Sequence, residues 1–443
     1  MAHDPVNKFL PDTPSHGSEA LTWNSNLPTG FQRLIPTRSF MSELDRILAT
    51  ELEAWAAADL TRTLQSVEPG GSRHLRHAGG TCLNFASNDY LGLTRNPGVC
   101  EAAARAAREL GSGSGASRLV SGSFAIHHRL EEGLADWMGT PQALTFGSGY
   151  AAALGVIPAL VGPRDVVILD KSVHACCVDG AHLSGARLRV CRHNDLNQLE
   201  DHLQWARRHI SSSDGGRILI VTESVFSMGG DLAPLEAMVD LKERHGAWLL
   251  VDEAHALGLF GESGTGRIRQ LGLEKRVEIQ MGTLGKSLAS SGGFVAGSRI
   301  LVEYLIHRAR SFMFSTAPTP ASSAAALEAL AVIRSTEGQV LRQTVWAHAR
   351  RVSDALNPGA PPDSPILPVL LGAAAQAMAA ARTLRDLGLW VPAIRYPTVP
   401  RDQARLRITV TAGHTTEEIG RLLEGVDPIV QKIRSTAPMG LEP

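Results

Sequence analysis

Residues 247–255 read "AWLLVDEAH" and residues 277–286 read "VEIQMGTLGK". Each is a short apolar run that stops on residues able to do chemistry: Asp252 and His255 in the first, Thr283 and Lys286 in the second. A run of this length, bounded by polar residues and lacking alternation, fits a strand buried on both faces. The pattern recurs in "QALTFGSG" (142–149), "DVVILD" (165–170), "RLRVCRH" (187–193), "RILIVTESVFS" (217–227) and "GGFVAGS" (292–298). Helical stretches separate the runs between about residues 97 and 320. Strands alternating with helices predict an α/β fold with a mostly parallel, seven-stranded sheet covered on both faces.

Working outward, helical apolar spacing starts near Met41 and runs through "ELDRILATELEAWAAADLTRTLQ" (43–65). A Gly/His/Arg-rich loop (69–80) follows. Towards the C-terminus, "NPGAPPDSP" (357–365) breaks the chain before "ILPVLLG", an Ala-rich helical segment and "ARLRITVTAGH" (404–414), which suggest a smaller α+β unit. The expected division is an extension of no assigned role over 1–40, an N-terminal helix and joining segment over 41–96, a large domain over 97–345 and a small domain over 346–443.

Composition narrows the function. Charged residues make up 20%, hydrophobic residues 44%, and the formal net charge is -1. Without a basic block, nucleic acid is not an expected partner. No apolar run reaches the roughly 18 residues that a membrane helix needs. Cys82, Cys100, Cys176, Cys177 and Cys191 form no C-x-x-C pair and no zinc spacing, so no metal is expected, and they suit a reducing, cytoplasmic setting. Asp4, Asp12 and Glu19 speak against a transit peptide.

In open parallel sheets, ligands bind outside the carboxyl ends of the strands. The polar residues expected there are Gly149 and Tyr150, His174, Glu223 to Ser227, Asp252, His255, Thr283 and Lys286. Each has a plain structural reading. A lone Asp at a strand end is most often a helix cap, a lone His a hydrogen-bonded core residue, and a lone Lys a surface group. Yet Lys286 is one of only six lysines and sits among small residues. Gly285-Lys286-Ser287 imitates the end of a phosphate loop, but Gln280 stands where that loop needs its first glycine.

Taken together, the set meets the needs of pyridoxal phosphate. A lysine amine forms a Schiff base. A carboxylate on the pyridine nitrogen keeps the ring an electron sink. Glycine turns and a threonine hydroxyl suit the phosphate. The amine must also work as a base, so its ordinary pKa of about 10.4 has to fall, and a desolvated site lowers it.

The ordered stretches "SNDYLGL", "SGSGASRLVSG", "KSVHA", "ESVFSMGGD", "VDEAHALGLFGESGTG", "GTLGKSLASSGGF" and "FMFSTAPTP" resemble the successive motifs of the α-oxoamine synthases. These are fold-type-I pyridoxal phosphate enzymes that join an amino acid to an acyl thioester with loss of carbon dioxide. The resemblance spans about residues 52–425 and implies residue roles. Lys286 binds the cofactor and removes the Cα proton, His174 stacks on the ring, Asp252 pairs with the pyridine nitrogen, and His255 hydrogen-bonds the phenolic oxygen. Gly149, Tyr150 and Thr283 hold the phosphate, with Ser227 in the same pocket. Ser315 or Thr316 reaches the phosphate of a second subunit in a homodimer, and Asn88 holds the substrate carboxylate.

"PAIRYPTVPRDQARLRITVTAGHT" (392–415) is similar to the signature of the biotin-pathway branch, usually I-R-P-P-T-V-P followed by A-R-L-R. That branch implies L-alanine and a pimeloyl thioester on coenzyme A or an acyl carrier protein, with Arg395 and Arg62 in the acyl pocket. Tyr396 replaces a usual proline, Ala256-Leu257 a small pair, and Gly229 a common acid. Two rival readings remain: a sibling enzyme using glycine or serine, and a non-catalytic assembly subunit.

Overall fold

The protein is described by a computed structural model covering residues 41–58, 60–70, 73–210 and 215–436. The extension over residues 1–40 lies outside the described residues. The described residues divide into two units, one ending at Arg62 and one beginning at Thr63. In the first, helix Glu43–Ala57 is capped by Ser42, whose Oγ accepts the Asp45 N–H at 3.1 Å. Leu44, Ile47, Leu48, Leu52 and Trp55 are exposed on it. Arg62 falls at the end of this unit.

The second unit begins with β1 (Glu68–Pro69), β2 (His74–His77) and β3 (Gly80–Asn84). Then come β4 (Gln142–Phe146), β5 (Val166–Asp170), β6 (Arg187–Cys191), β7 (Ile218–Glu223), β8 (Trp248–Asp252), β9 (Ile279–Thr283) and β10 (Gly293–Gly297). These last seven form one sheet in the order β4-β10-β9-β8-β7-β5-β6. Every pairing in it is parallel except the two made by β10. The seven apolar runs are these seven strands, and β5 and β7 are buried along their whole length.

Burial on both faces can be read from β10. Its Phe294 and Ala296 join a cluster with Leu130, Leu134 and Leu330 of helices Ala125–Met138 and Pro320–Arg334. Val295 between them joins the opposite cluster, with Val156 and Ile157 of helix Gly149–Leu160. Successive side chains on a strand point to opposite faces, so both faces carry helices. Each fully buried aliphatic side chain contributes about 1.5–3 kcal/mol.

The C-terminal strands are β11 (Ile366–Gly372), β12 (Leu389–Trp390), β13 (Ala393–Ile394) and β14 (Ala404–Thr409), with β11, β14 and β13 forming a three-stranded sheet. β12 leaves that group to pair in parallel with β3, Leu389 opposite Leu83. The segment before residue 96 is thereby sewn to the C-terminal elements, and Leu83 and Phe85 share a core with Leu406 and Ile408. Among the described residues, no helix is long and apolar enough to cross a membrane.

One polar clamp braces the carboxyl ends of the large sheet. His193 Nδ1 lies 2.9 Å from Asp170 Oδ1 at the end of β5, and Nε2 lies 2.6 Å from Asp231 Oδ2 beyond β7. A Cβ at Gly229 would fall onto that Asp231 carboxylate as it stands here. Partial burial pulls the imidazole pKa down, but the two carboxylates outweigh it and lift the group to about 10. Because the folded value exceeds the unfolded one, the stabilisation is full below about pH 6.5 and is lost as pH rises through about 10. His193→Asn should therefore lower stability at pH 6 by about 1 kcal/mol, a value discounted for a ring one-third exposed. Denaturation midpoints of the two proteins should converge near pH 10.5. A gap that persists at that pH refutes the charged clamp.

Candidate active site

Beyond the carboxyl ends of β5, β7, β8 and β9 the side chains of His174, Glu223, Asp252, His255 and Lys286 come together, whereas Ser315, Thr316 and Arg395 come from other parts of the chain. Lys286 lies three residues beyond β9, in the turn that leads back into β10. Its Nζ is 2.7 Å from His255 Nε2, and His255 Nδ1 is 2.6 Å from the Tyr90 hydroxyl. Burial, then the Lys286 charge, holds His255 well below the ordinary histidine range, so the ring is neutral. With an ammonium donating to Nε2, the ring N–H sits on Nδ1 and donates to Tyr90. The Tyr90 hydroxyl is 3.4 Å from Asn88 Oδ1, which accepts from Arg407 Nη2 at 3.2 Å. A single hydrogen-bonded chain thus runs from the lysine to an arginine on β14.

Desolvation brings Lys286 down to about 8, even though Asp252 and Glu223 favour its charged form. The same burial pushes the Asp252 carboxyl up, with Lys286 pulling it back. Asp252 Oδ1 accepts the Ala254 N–H at 2.8 Å, which fixes the carboxylate at the strand end. The "DEAH" stretch splits its duties. Asp252 and His255 serve this group, whereas Glu253 turns the other way and accepts the Arg267 and Ile268 N–H groups at 3.0 and 3.3 Å.

His174 caps helix Ala175–Ser184 and accepts the Cys176 N–H at Nδ1, 3.3 Å away. Its ring stands at 84° to that of Tyr150, with centroids 6.4 Å apart. A hydrogen bond with Cys176 raises its pKa, against the pull of burial. Tyr150 is exposed and donates its hydroxyl to Asp179. Gly149 opens helix Gly149–Leu160, whose N-cap Ser148 accepts the Ala151 N–H at 3.0 Å. A Cβ on Gly149 would meet the Thr283 side chain at 3.6 Å, so that turn and Thr283 are neighbours. A Cβ on Gly293 would approach the Gly149 backbone to 2.5 Å, so only glycine lets β10 pass this close. A helix N-terminus beside a threonine hydroxyl suits an anion; here Thr283 Oγ1 donates to the Gly292 carbonyl and accepts the Gly285 N–H, each at 3.1 Å.

Ser227 is buried, and its N–H donates to Glu223 Oε2 at 3.1 Å. Ser315 and Thr316 lie on an exposed segment bridged to Ser117. Arg395 is half-buried just beyond β13, where its carbonyl accepts the Thr398 N–H at 3.0 Å. Tyr396 is exposed, with the Arg401 guanidinium 4.5 Å from its ring centroid.

Arg407, which the sequence does not mark, and Glu223, expected there only as the start of the polar stretch 223–227, also belong to this group. Arg407 is buried on β14, and its guanidinium donates to the Ser227 carbonyl at 2.7 Å and Thr409 Oγ1 at 2.8 Å as well as to Asn88. Glu223, fully buried at the end of β7, is pushed up to about 8 by burial and by the neighbouring Asp252 charge. Its Oε1 has no hydrogen-bond partner. Only the quoted "ARLR" and the "VTES" strand end pointed towards either residue, and neither pattern says which side chain turns inward.

The class I and II aminotransferase family matches this chain across residues 80–426. A relative from Alkalilimnicola ehrlichii named 8-amino-7-oxononanoate synthase is 45% identical over 394 residues, which is 87% of this chain and 98% of that protein. A serine palmitoyltransferase from S. paucimobilis, solved with a bound PLP–myriocin aldimine, superposes with a TM-score of 0.80 at 29% identity, covering 89% of this chain and all of the other. The crystal structure of 8-amino-7-oxononanoate synthase from Francisella tularensis gives a TM-score of 0.67 at 27% identity, over 80% of this chain and 98% of that one. The order of motifs from "SNDYLGL" to "ARLR" and the fold that carries them agree with these matches. The chain belongs to the class I and II aminotransferase family, in its α-oxoamine synthase branch.

Proposed function

We propose that this chain condenses L-alanine with a pimeloyl thioester, releasing carbon dioxide and forming 8-amino-7-oxononanoate, with pyridoxal phosphate as its cofactor. The observation that carries this reading is the union of Lys286, His255 and Asp252 with the Asn88–Arg407 pair, in a chain 45% identical to a synthase of that name. The residues fit the cofactor: a buried carboxylate, a lysine with a lowered pKa, and a helix N-terminus at Gly149 beside Thr283. When bound, pyridoxal phosphate supplies an aldehyde carbon for a lysine amine and a ring that takes up the electrons of a carbanion.

Each side chain then has a duty. Asp252 holds a proton at the pyridine nitrogen. Once Lys286 no longer donates to it, neutral His255 takes its other tautomer, Tyr90 donating to Nδ1 and the Nε2–H being offered to the phenolic oxygen. His174 covers one face of the ring. Lys286 carries the cofactor and afterwards moves the proton from the Cα of alanine. Arg407 and Asn88 receive the alanine carboxylate, the guanidinium by a charge-assisted pair. Arg395 is assigned to the far carboxylate of the pimeloyl group, and the acyl carrier is coenzyme A or a carrier protein. The working unit is a homodimer, with Ser315 or Thr316 reaching the phosphate of a second copy. Superposition on a serine palmitoyltransferase favours a sibling reaction with serine. The higher identity to the relative named 8-amino-7-oxononanoate synthase favours the first reading.

Measurements on Lys286, on Asp252 and on the two arginines test it. Borohydride reduction of the cofactor-loaded protein, followed by peptide mapping, should put the pyridoxyl group on Lys286. Uptake of cofactor by the freed chain should speed up as pH rises through about 8, because only the neutral amine attacks the aldehyde. Labelling of another lysine, or uptake that waits for pH near 10, refutes the role of Lys286.

Asp252→Asn should keep the fold and lower turnover on the order of a hundredfold or more, since a neutral amide cannot hold the pyridine nitrogen protonated. Wild-type turnover in that variant removes Asp252 from the mechanism.

The two arginines should divide cleanly. Arg407→Ala should weaken alanine binding, read by spectrophotometric titration with alanine alone. Arg395→Ala should leave that titration unchanged and raise the KM for pimeloyl thioester about ten- to a hundredfold, the loss of one charge-assisted pair. The opposite pattern exchanges their assignments.

A further inference from the structure

Beside Asp252 lie two side chains that the proposed reaction does not use. Cys176 and Cys177 stand side by side in the first turn of helix Ala175–Ser184, and their Sγ atoms are 4.0 Å apart. Each of these sulfurs and a carboxylate oxygen of Asp252 lie within 4.8 Å of one another, and all three residues are buried. Among the described residues this is the one group of His, Cys, Asp and Glu whose ligand atoms converge in this way. Vicinal cysteines give no zinc spacing in the sequence, which is why the site was invisible there.

The donor set has a definite chemistry. Two thiolates and a carboxylate suit zinc or its softer congener cadmium, whereas calcium and magnesium take oxygen. At a tetrahedral ion with metal–sulfur bonds of about 2.3 Å, the two sulfurs stand roughly 3.8 Å apart. The observed separation needs only a few tenths of an ångström of closure. The helix N-terminus favours thiolate over thiol in its first turn, against the Cys176 hydrogen bond and the burial that hold the Cys177 thiol well above its usual value, so that proton leaves only as the metal–sulfur bond forms. His174 Nδ1, 3.0 Å from the Cys176 sulfur, is a ready acceptor for one of the two protons that leave, and solvent takes the other. Three ligands also leave a fourth position for water.

We propose that Cys176, Cys177 and Asp252 of the cofactor-free chain form a site for a soft divalent cation, Zn²⁺ or Cd²⁺, and that filling it excludes pyridoxal phosphate. Metal binding breaks two S–H bonds, forms two metal–sulfur bonds and one metal–oxygen bond, and changes no oxidation state. Exclusion follows because a cation on the Asp252 carboxylate neutralises the charge that would hold the pyridinium proton. That second half rests on the cofactor reading above, and the first does not.

The test uses the full chain, freed of cofactor and kept anaerobic. Titration with Cd²⁺ should raise an ultraviolet thiolate-to-metal charge-transfer band that saturates at one ion per chain. Cys176→Ser and Cys177→Ser should each weaken binding at least tenfold, while Cys100→Ser, at the exposed cysteine, should leave it unchanged. Cofactor uptake by the metal-free serine variants checks their folding. In the wild-type chain, bound Cd²⁺ should slow formation of the visible cofactor band at least tenfold, and a chelator should restore it. A charge-transfer band that survives both serine substitutions, or no band at all, overturns the site. Uptake unaffected by saturating Cd²⁺ overturns the exclusion. If the metal-free chain takes up no cofactor, the cofactor reading fails, while the Cd²⁺ titration still decides the site.

Discussion

The hydrogen bond between Lys286 Nζ and His255 Nε2 is the contact on which the site depends. It joins the turn after β9 to the turn after β8, and through Tyr90 and Asn88 it reaches Arg407 on β14. The large sheet and the C-terminal sheet therefore meet through polar atoms, not only through packing. Burying a lysine is costly unless its charge is compensated or given up. Here both happen in part: Asp252 and Glu223 favour the ammonium, and desolvation brings its pKa to about 8. A group poised near neutrality is what proton transfer needs.

The same economy of charge accounts for the acids. Asp252 and Glu223 end adjacent strands and both have raised pKa values, burial being the main cause. Two full negative charges side by side in a dry site would repel, so Glu223, pushed up to about 8, holds its proton at neutral pH. Asp252 has the closer tie to Lys286 among its causes, and it is the carboxyl that remains available as an anion. Glu223 is left to brace the site: its Oε2 accepts the Ser227 N–H.

Much of this was legible in the sequence because strand ends are punctuated. An apolar run that stops at "VDEAH" or "MGTLGK" states both where the strand lies and which polar residues follow it. Parallel order then forces those residues onto one edge, so Asp252, His255, Thr283 and Lys286 could be grouped before any geometry was known. Arg407 was not legible as a site residue because it lies inside a strand. In "ARLRIT" two arginines alternate with apolar residues, and the pattern alone cannot say that Arg405 remains partly exposed while Arg407 is buried and reaches Asn88. Glu223 was seen only as the start of a polar stretch, since its raised pKa depends on Asp252 one strand away.

The vicinal cysteines mark the limit of that legibility in a different way. Sequence rules for metals look for ligands one helical turn or one hairpin apart, because such spacings let neighbouring side chains converge. Adjacent residues in a helix are about 100° apart around the axis, so Cys176 and Cys177 face different surroundings, and only a group from outside the helix can sit near both sulfurs. Asp252 does so because β5 and β8 are separated by a single strand, β7, in the sheet. The carboxylate that ends one strand is thereby brought against the helix that follows another. The order of strands, which no local pattern states, decides that a residue read as a cofactor partner also stands beside two sulfurs.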